Sequence, residues 1–557
     1  MKAGLLRLLS GLFLIGLLAS SALARITINV DAKDGDKISG ERTFRVTVQS
    51  DNVVNKVEFY VGDNLRDEDD STPYTFRLDT LALDDGPLKV KFSAYTSEAE
   101  SASKTIEVVV DNGMAKGVDF HLTQGNEALT TSKWDDAILA GRLILKIDPN
   151  SVTGRILLAR ANLGKGVYDA AQKFAEDVVA KEPNNLDALE LLGAINLLRA
   201  FATYNRGSDR AETLKQIAAA VKSAVDARRR SLDASLDKFG QPTSANLLAY
   251  ADLAVKAQRY SLAIERLAPE FRKDTRQPAI ANRLLYAQMR AGRLADAYRT
   301  LDQYVKGNMV DGYGYALKAI LLLQLGQTAE SGDAEREALL SDGENLGVRT
   351  TQAFLALKRN ATSTLGRLAS DLAKDEGQRT EVNYYLSALS FMTGDLERSG
   401  RALERAVLTE PVNYDMYVEA GNQRIFTSLR QGMSSEDLKY QRELARVFFE
   451  AALVARPESF EALSGLAILD LIEGKTADAL RMGKAAVAAG PEYAGAHYAL
   501  SAAYAKNGQA TEANKSAIEA GKWDKANLEG RGAPEALEAW RYFYRFGRTP
   551  LIVVPKQ

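Results

Sequence analysis

Two periodicities divide the chain. From Ile26 to Val110 apolar and polar residues alternate with a period of two, in runs at Ile26–Val30, Thr43–Gln49, Val57–Val61, Tyr74–Leu78, Leu88–Tyr95 and Thr105–Val110. Such alternation puts every second side chain on one face of a strand. Clusters of Asp, Gly and Asn, as at Lys33–Lys37 and Asp84-Asp85-Gly86, separate the runs. Short strands at this spacing predict a small all-β sandwich over residues 25–112. Residues 113–117, bounded by Gly113 and Gly117, read as a linker. From Val118 onward the apolar residues recur with the period of about 3.6 that marks amphipathic helices.

The helical part carries a second, longer period. Units begin at Val118, Val152 and Leu186, then from Ser244 through Pro278, Gly312, Leu346, Thr380 and Tyr414, then at Phe460 and Ala494, spaced 34 residues apart within each block. The units share a small residue in the first half, with Leu285 the exception; a Gly seven positions later recurs as Gly166, Gly292, Gly326, Gly394, Gly474 and Gly508, most have a small residue five further on, and several have a Pro near the end. Ala467, Gly474, Ala479 and Pro491 form one such set, and Ser501, Gly508 and Ala513 another. Two small residues let a pair of helices approach closely. Gly ends the first helix because it tolerates positive φ, and Pro stops the second because it lacks an N–H. One hairpin of this kind cannot bury its apolar face alone, so copies stack into a continuous core. The expectation is an α-α array of about eleven helix pairs over residues 118–527. In the unit at Leu346, Asn360 and Leu365 replace the usual Gly and Ala, which leaves its local packing open.

Two insertions interrupt the period. Residues 199–241 read as extended helices with mixed charge, including Arg206, Arg210, Lys215, Lys222 and Arg228-Arg229-Arg230. They form either a solvated face or a docking surface for an acidic partner. Thr427–Lys439, with Gly432, Ser434 and Ser435, reads as a loop. Residues 528–557 read as a capping helix, Pro534–Phe546 with Trp540, Tyr542, Phe543, Tyr544 and Phe546, followed by an apolar tail.

The helical units resemble the tetratricopeptide repeat family in their length and in their small, Gly and Pro positions. The run Val57–Val61, Pro73–Phe76, Asp79-Thr80 and Asp84-Asp85-Gly86 resembles bacterial immunoglobulin-like domains. The second resemblance implies a spacer or adhesive module. The first implies a superhelix whose first helices line a concave groove through positions two, five, nine and twelve of each unit. Carried onto this chain, those positions include Asn126, Arg160, Asn282, Tyr286, Tyr313, Phe354, Tyr384, Phe391, Asn422 and Tyr498. Rings with a few amides suit an extended peptide or an amphipathic helix. The competing reading is that many of these rings pack between neighbouring helices. The Lys/Asn set that some relatives use to clamp a C-terminal carboxylate is not present as a set.

Composition narrows the chemistry. In 557 residues there are two histidines, His121 and His497, and no cysteine, which removes Cys nucleophiles, disulfides and Cys/His zinc sites. A formal charge of −2 argues against general nucleic-acid binding. No G-x-S-x-G, H-E-x-x-H or complete phosphate loop occurs; Gly474-Lys475-Thr476 supplies only the end of one. The acidic clusters Asp31/Asp34/Asp36 and Asp63/Asp67–Asp70 match no complete calcium loop. No cofactor, metal or catalytic residue is expected. Residues 1–24 have the build of a secretory signal, with Lys2 and Arg7, the apolar run Leu8–Leu18, and Ala22-Leu23-Ala24. No later stretch is long and apolar enough to span a bilayer. Together these features predict an exported, non-catalytic scaffold for protein or peptide partners, in a bacterial periplasm or at the cell surface. The rival is an adhesin, or a glycan-binding or exopolysaccharide-export protein, working through the β domain with the array as stalk.

Overall fold

The computed structural model describes residues 26–205, 209–429 and 431–523. The expected signal segment and the C-terminal cap lie outside the described residues. The chain forms two compact units, residues 1–167 and 168–557.

The first unit opens with a β-sandwich. Its strands are β1 Thr27–Val30, β2 Lys37–Ile38, β3 Glu41–Gln49, β4 Val54–Val61, β5 Asn64–Asp69, β6 Tyr74–Asp79, β7 Gly86–Thr96 and β8 Ser101–Val110. One sheet has the order β1-β3-β6 and the other β2-β8-β7-β4-β5. All pairings are antiparallel except β2 with β8. Alternation does what it predicts: on β6 Tyr74, Phe76 and Leu78 point inward while Thr75 and Arg77 stay exposed. Each sheet sends two fully buried rings between the layers, Phe44 and Phe76 from one, Phe59 and Phe92 from the other. Phe59 stacks on Phe92 at 5.2 Å and on Phe76 at 5.5 Å. Burying such a ring stabilises by roughly 2–3 kcal/mol.

Two strands escape the alternation pattern. β2 has only two residues. β5, with sequence NLRDED, is an edge strand exposed along nearly its whole length, so it has no apolar face to betray it. Its acids belong to a strand rather than a turn, and charge on an open edge discourages pairing with another sheet. In the other acidic cluster, Asp31 accepts from the Arg45 N–H at 2.9 Å, Asp34 from that of Glu107 at 2.7 Å and Asp36 from that of Lys33 at 2.8 Å. These carboxylates tie loops to strands. Among the described residues no cluster of three or more His, Cys, Asp or Glu side chains is arranged to hold a metal ion.

Three helices complete this unit: α1 Gly117–Thr130, α2 Trp134–Ile147 and α3 Val152–Lys165. The stretch expected to be a linker is tied down. Asp85 accepts from the backbone N–H groups of Asn112 and Met114 at 2.9 and 3.1 Å, and the His121 ring meets the Gly113 carbonyl at 3.0 Å. α2 lies against the sandwich, where Arg142 pairs with Asp79 and Lys146 bonds the Leu83 carbonyl.

The second unit is helical throughout its described residues. It runs α4 Tyr168–Lys181, α5 Leu186–Asn205, α6 Arg210–Phe239, α7 Leu247–Lys256, α8 Tyr260–Lys273, α9 Pro278–Arg290, α10 Leu294–Lys306, α11 Gly312–Gln324 and α12 Thr328–Asp342. It continues with α13 Leu346–Lys358, α14 Thr362–Glu376, α15 Thr380–Met392, α16 Leu396–Thr409, α17 Tyr414–Ser428, α18 Ser435–Ala455, α19 Phe460–Ile472, α20 Thr476–Ala489, α21 Ala494–Lys506 and α22 Ala510–Trp523. Each odd-numbered helix from α5 to α21 opens a pair. Among these, only α7 begins away from its expected first residue, at Leu247 rather than Ser244. In chain order a β-sandwich is followed by a solenoid of helix pairs.

The small positions work as expected. A Cβ on Gly193 would lie 2.7 Å from the Ala224 Cα, so α5 and α6 touch backbone to backbone. Where Ser replaces Ala its hydroxyl bonds the partner helix, Ser501 to the Ala513 carbonyl at 2.7 Å and Ser331 to that of Ala319 at 2.7 Å. The degenerate unit keeps the same turn, because Asn360 takes the left-handed conformation at φ 57° that Gly474 takes at 77° in its own unit. Leu365 is fully buried where other units have Ala.

The insertions lengthen helices. α6 spans 30 residues and buries Ile217, Val221, Val225, Leu232 and Leu236 along one side. Within Thr427–Lys439 a short non-helical connection follows α17, and Ser434 caps α18 by accepting the Asp437 N–H at 3.0 Å. The two insertions meet: Arg210 pairs with Asp437 at 2.5 Å and lies over the Tyr440 ring at 4.9 Å. Further along α6, Arg228 makes a two-pronged pair with Glu410 at 2.9 and 3.0 Å, and Arg229 bonds the Ala455 carbonyl. For these three arginines the acceptors come from the array itself. Among the described residues no helix is long and apolar enough to cross a membrane.

Candidate partner-binding site

The first helices of this unit have little polar surface. In α9 residues 280–290 are all buried, and in α17 residues 414–423 are. A helix buried on every side has neighbours on every side. One side packs within the solenoid, and the other packs across it. Arg290 at the end of α9 pairs with Asp415 on α17 through both guanidinium nitrogens. Its Nε–H donates to the Tyr260 hydroxyl at 3.2 Å. Arg456 donates to the Arg290 carbonyl at 3.0 Å and to the Tyr414 hydroxyl at 2.7 Å. Tyr414 in turn donates to Glu461 at 3.0 Å. The two guanidiniums sit over the rings of Tyr260 and Tyr414 at 5.0–5.5 Å. Two buried cations thus meet two acids and two rings, which offsets the large cost of removing them from water. The Phe460 ring lies against Gly292, where a Cβ would come within 2.8 Å of it, and Glu492 accepts the Ala295 N–H at 2.8 Å.

This closure decides where the expected groove residues lie. Asn126 and Arg160 are exposed. Asn282, Tyr286, Tyr313, Phe354, Tyr384, Phe391, Asn422 and Tyr498 are all buried. Asn282 donates to Asp311 at 2.9 Å. Tyr313 fills the space left by Gly347, where a Cβ would stand 2.4 Å from its ring. Phe391 meets Phe426 edge-on at 4.8 Å, and Tyr498 packs with Ala494 and Ala520. The structure therefore holds most of these rings between helices. Of the eight, Tyr286 lines an opening: a cavity of about 430 Å³ between α7, α9, α15 and α17.

That cavity is charged. Arg228, Lys256, Arg290 and Arg379 line it, and so do Asp252, Glu381, Glu410 and Asp415. Each of the four cations has an acid within 4 Å. Asp252 has Arg283 at 2.7 Å, Glu410 has Arg228 and Asp415 has Arg290. Glu381 is the exception: among the described residues it has no cation within 4 Å, and its carboxylate meets its own backbone N–H. Burial pushes this carboxyl above the usual carboxylate range. Glu410 and Asp415 add to the effect, and Arg379 works against it. A larger cavity of about 690 Å³ lies where the insertions meet the array, with Phe201, Leu403, Val407 and Phe448 in its lining. Its rim charges Arg210 and Arg401 already pair with Asp437 and Glu397. The smaller cavity has the charge still to be met, and it is the better candidate.

Choosing rings and amides at the concave positions passes over Glu381, Asp415 and Glu461. All three occupy position two of their units, at Thr380, Tyr414 and Phe460. An acid recurring at one concave position was the available signal.

A family model for a bacterial Ig domain matches residues 25–108. Among solved structures, this chain is similar to fibronectin(III)-like modules of Clostridium thermocellum CbhA, at 27% identity and a TM-score of 0.14, covering 15% of this chain and 94% of that one. It is also similar to the APC/C hetero-tetramer Cut9-Hcn1, at 14% identity and a TM-score of 0.38, covering 74% and 88%. A tetratricopeptide repeat protein from Parabacteroides merdae is similar at 15% identity and a TM-score of 0.30, covering 44% and 93%. No curated protein matches the chain. Residues 25–108 are a bacterial Ig-like domain, and a tetratricopeptide-like array of helix pairs follows it.

Proposed function

We propose that this chain is an exported, non-catalytic scaffold that binds protein partners through the inner face of its solenoid, in envelope assembly or secretion in a bacterium. The observation that carries this reading is the charged cavity between α7, α9, α15 and α17, where among the described residues Glu381 has no cation within 4 Å. A solenoid presents its first helices to a ligand from several units at once, so a bound segment is read at successive positions. Export rests on the build of residues 1–24. The test is a crosslinking pull-down from intact bacterial envelopes with the full chain and with Thr409→Trp, which narrows the exposed rim of the cavity. The same proteins recovered with the first and lost with the second is the expected result. Recovery unchanged by Thr409→Trp removes the inner face from the reading, and recovery of nothing removes the scaffold.

A second reading, glycan binding by the Ig-like domain, is favoured by one observation. On the outer face of β4 and β7 the tyrosines Tyr60 and Tyr95 share Glu58, at 2.5 and 2.8 Å, and Lys91 lies over the Tyr60 ring at 4.1 Å. Half-buried rings beside a fixed carboxylate give a sugar both a flat apolar face and an acceptor. Glycan arrays probed with the full chain and with Tyr60→Ala/Tyr95→Ala decide it: binding lost with the two rings supports this face, and binding by neither protein excludes it.

A further inference from the structure

The charge left over in the inner cavity identifies what would complete it. Among the described residues lining it, Glu381 is the one charged group with no oppositely charged group within 4 Å. A half-buried carboxylate without a counter-ion has lost part of its hydration, and a cation brought beside it offsets that loss. Tyr286 lines the same cavity as Glu381. An aromatic face next to a carboxylate is a cage for a cationic group. A volume of about 430 Å³ admits a long side chain and little more.

We propose that this cavity receives a cationic side chain, lysine or arginine, of a protein partner, with Glu381 as counter-ion and the Tyr286 ring as wall. The proposal rests on the partner-binding reading above and names the residue class it recognises. The partner then places a basic residue at this depth of the solenoid.

The experiment titrates the purified full chain with N-acetyl-arginine amide, N-acetyl-lysine amide and, as an uncharged control of similar length, N-acetyl-norleucine amide. Binding is followed by saturation-transfer NMR and calorimetry. The basic amides bind and the norleucine amide does not. Glu381→Gln weakens the basic amides about ten-fold or more, the scale of one charge-assisted pair. Thr409→Trp weakens them without touching the acid. Circular dichroism shows both variants folded. Equal binding of the norleucine amide, affinity unchanged in Glu381→Gln, or no binding by either basic amide each overturns the proposal. Failure of the pocket and failure of the scaffold separate cleanly. Envelope partners recovered without amide binding leave the scaffold standing and remove the cationic pocket. Amide binding without envelope partners does the reverse.

Discussion

Glu381 carries a cost that the free chain bears alone. Its carboxyl is pushed above the usual range by burial, with Glu410 and Asp415 adding and Arg379 opposing. An acid whose folded-state pKa is raised holds its proton more tightly folded than unfolded. Stability is therefore highest below the ordinary carboxylate pKa and falls as the pH climbs through the raised one. Glu381→Gln removes that loss, so its urea midpoint exceeds the parent's at neutral pH and the gain vanishes in acid. Glu58 behaves in the opposite sense. Hydrogen bonds from Lys56 and Tyr60 hold its carboxyl down at about 2. The stability it contributes is present above the ordinary carboxylate pKa and is lost as the pH falls from there toward about 2. Glu58→Gln then matters at neutral pH and becomes silent in strong acid, as denaturant melts at several pH values will record. Arg290 is a third case. Arg290→Met strands Asp415 in the interior and costs about 3–5 kcal/mol in urea unfolding, whereas Arg290→Met with Asp415→Leu costs less than the two single changes added together.

At the level of helices and strands, the sequence was legible wherever a pattern had a physical period. The first helices from Pro278 to Ala494 begin where the spacing put them, because a close-packed helix pair admits only small residues at two fixed places. Gly193→Val tests that constraint: its added methyls meet the Ala224 backbone, and the change costs about 1–3 kcal/mol by thermal melting. Strand β5 was not legible, since an exposed edge strand needs no apolar alternation. The insertions were legible as interruptions, and their role was not. What α6 does depends on Glu410, Asp437 and the Ala455 carbonyl, which lie roughly 180 to 230 residues further along the chain. The cavity shares that difficulty. Tyr286 and Glu381 occupy concave positions that a 34-residue register marks, but only the fold shows which rings are walls and which acid is unpaired.

At the level of the whole solenoid, the contacts between distant helices change what kind of object it is. A repeat array whose units touch only their neighbours unfolds piecemeal from its ends. Here α6 grips α18, and α9 is joined to α17 and α19 by Arg290, Arg456 and Phe460. Pulled from its two ends, a solenoid of neighbour-only contacts behaves as a soft spring and pays out one hairpin at a time. One whose turns are laced to each other first resists as a block, because several ties load in parallel. It then yields abruptly when the lacing parts. That difference separates a compliant link from a rigid strut with a breaking point.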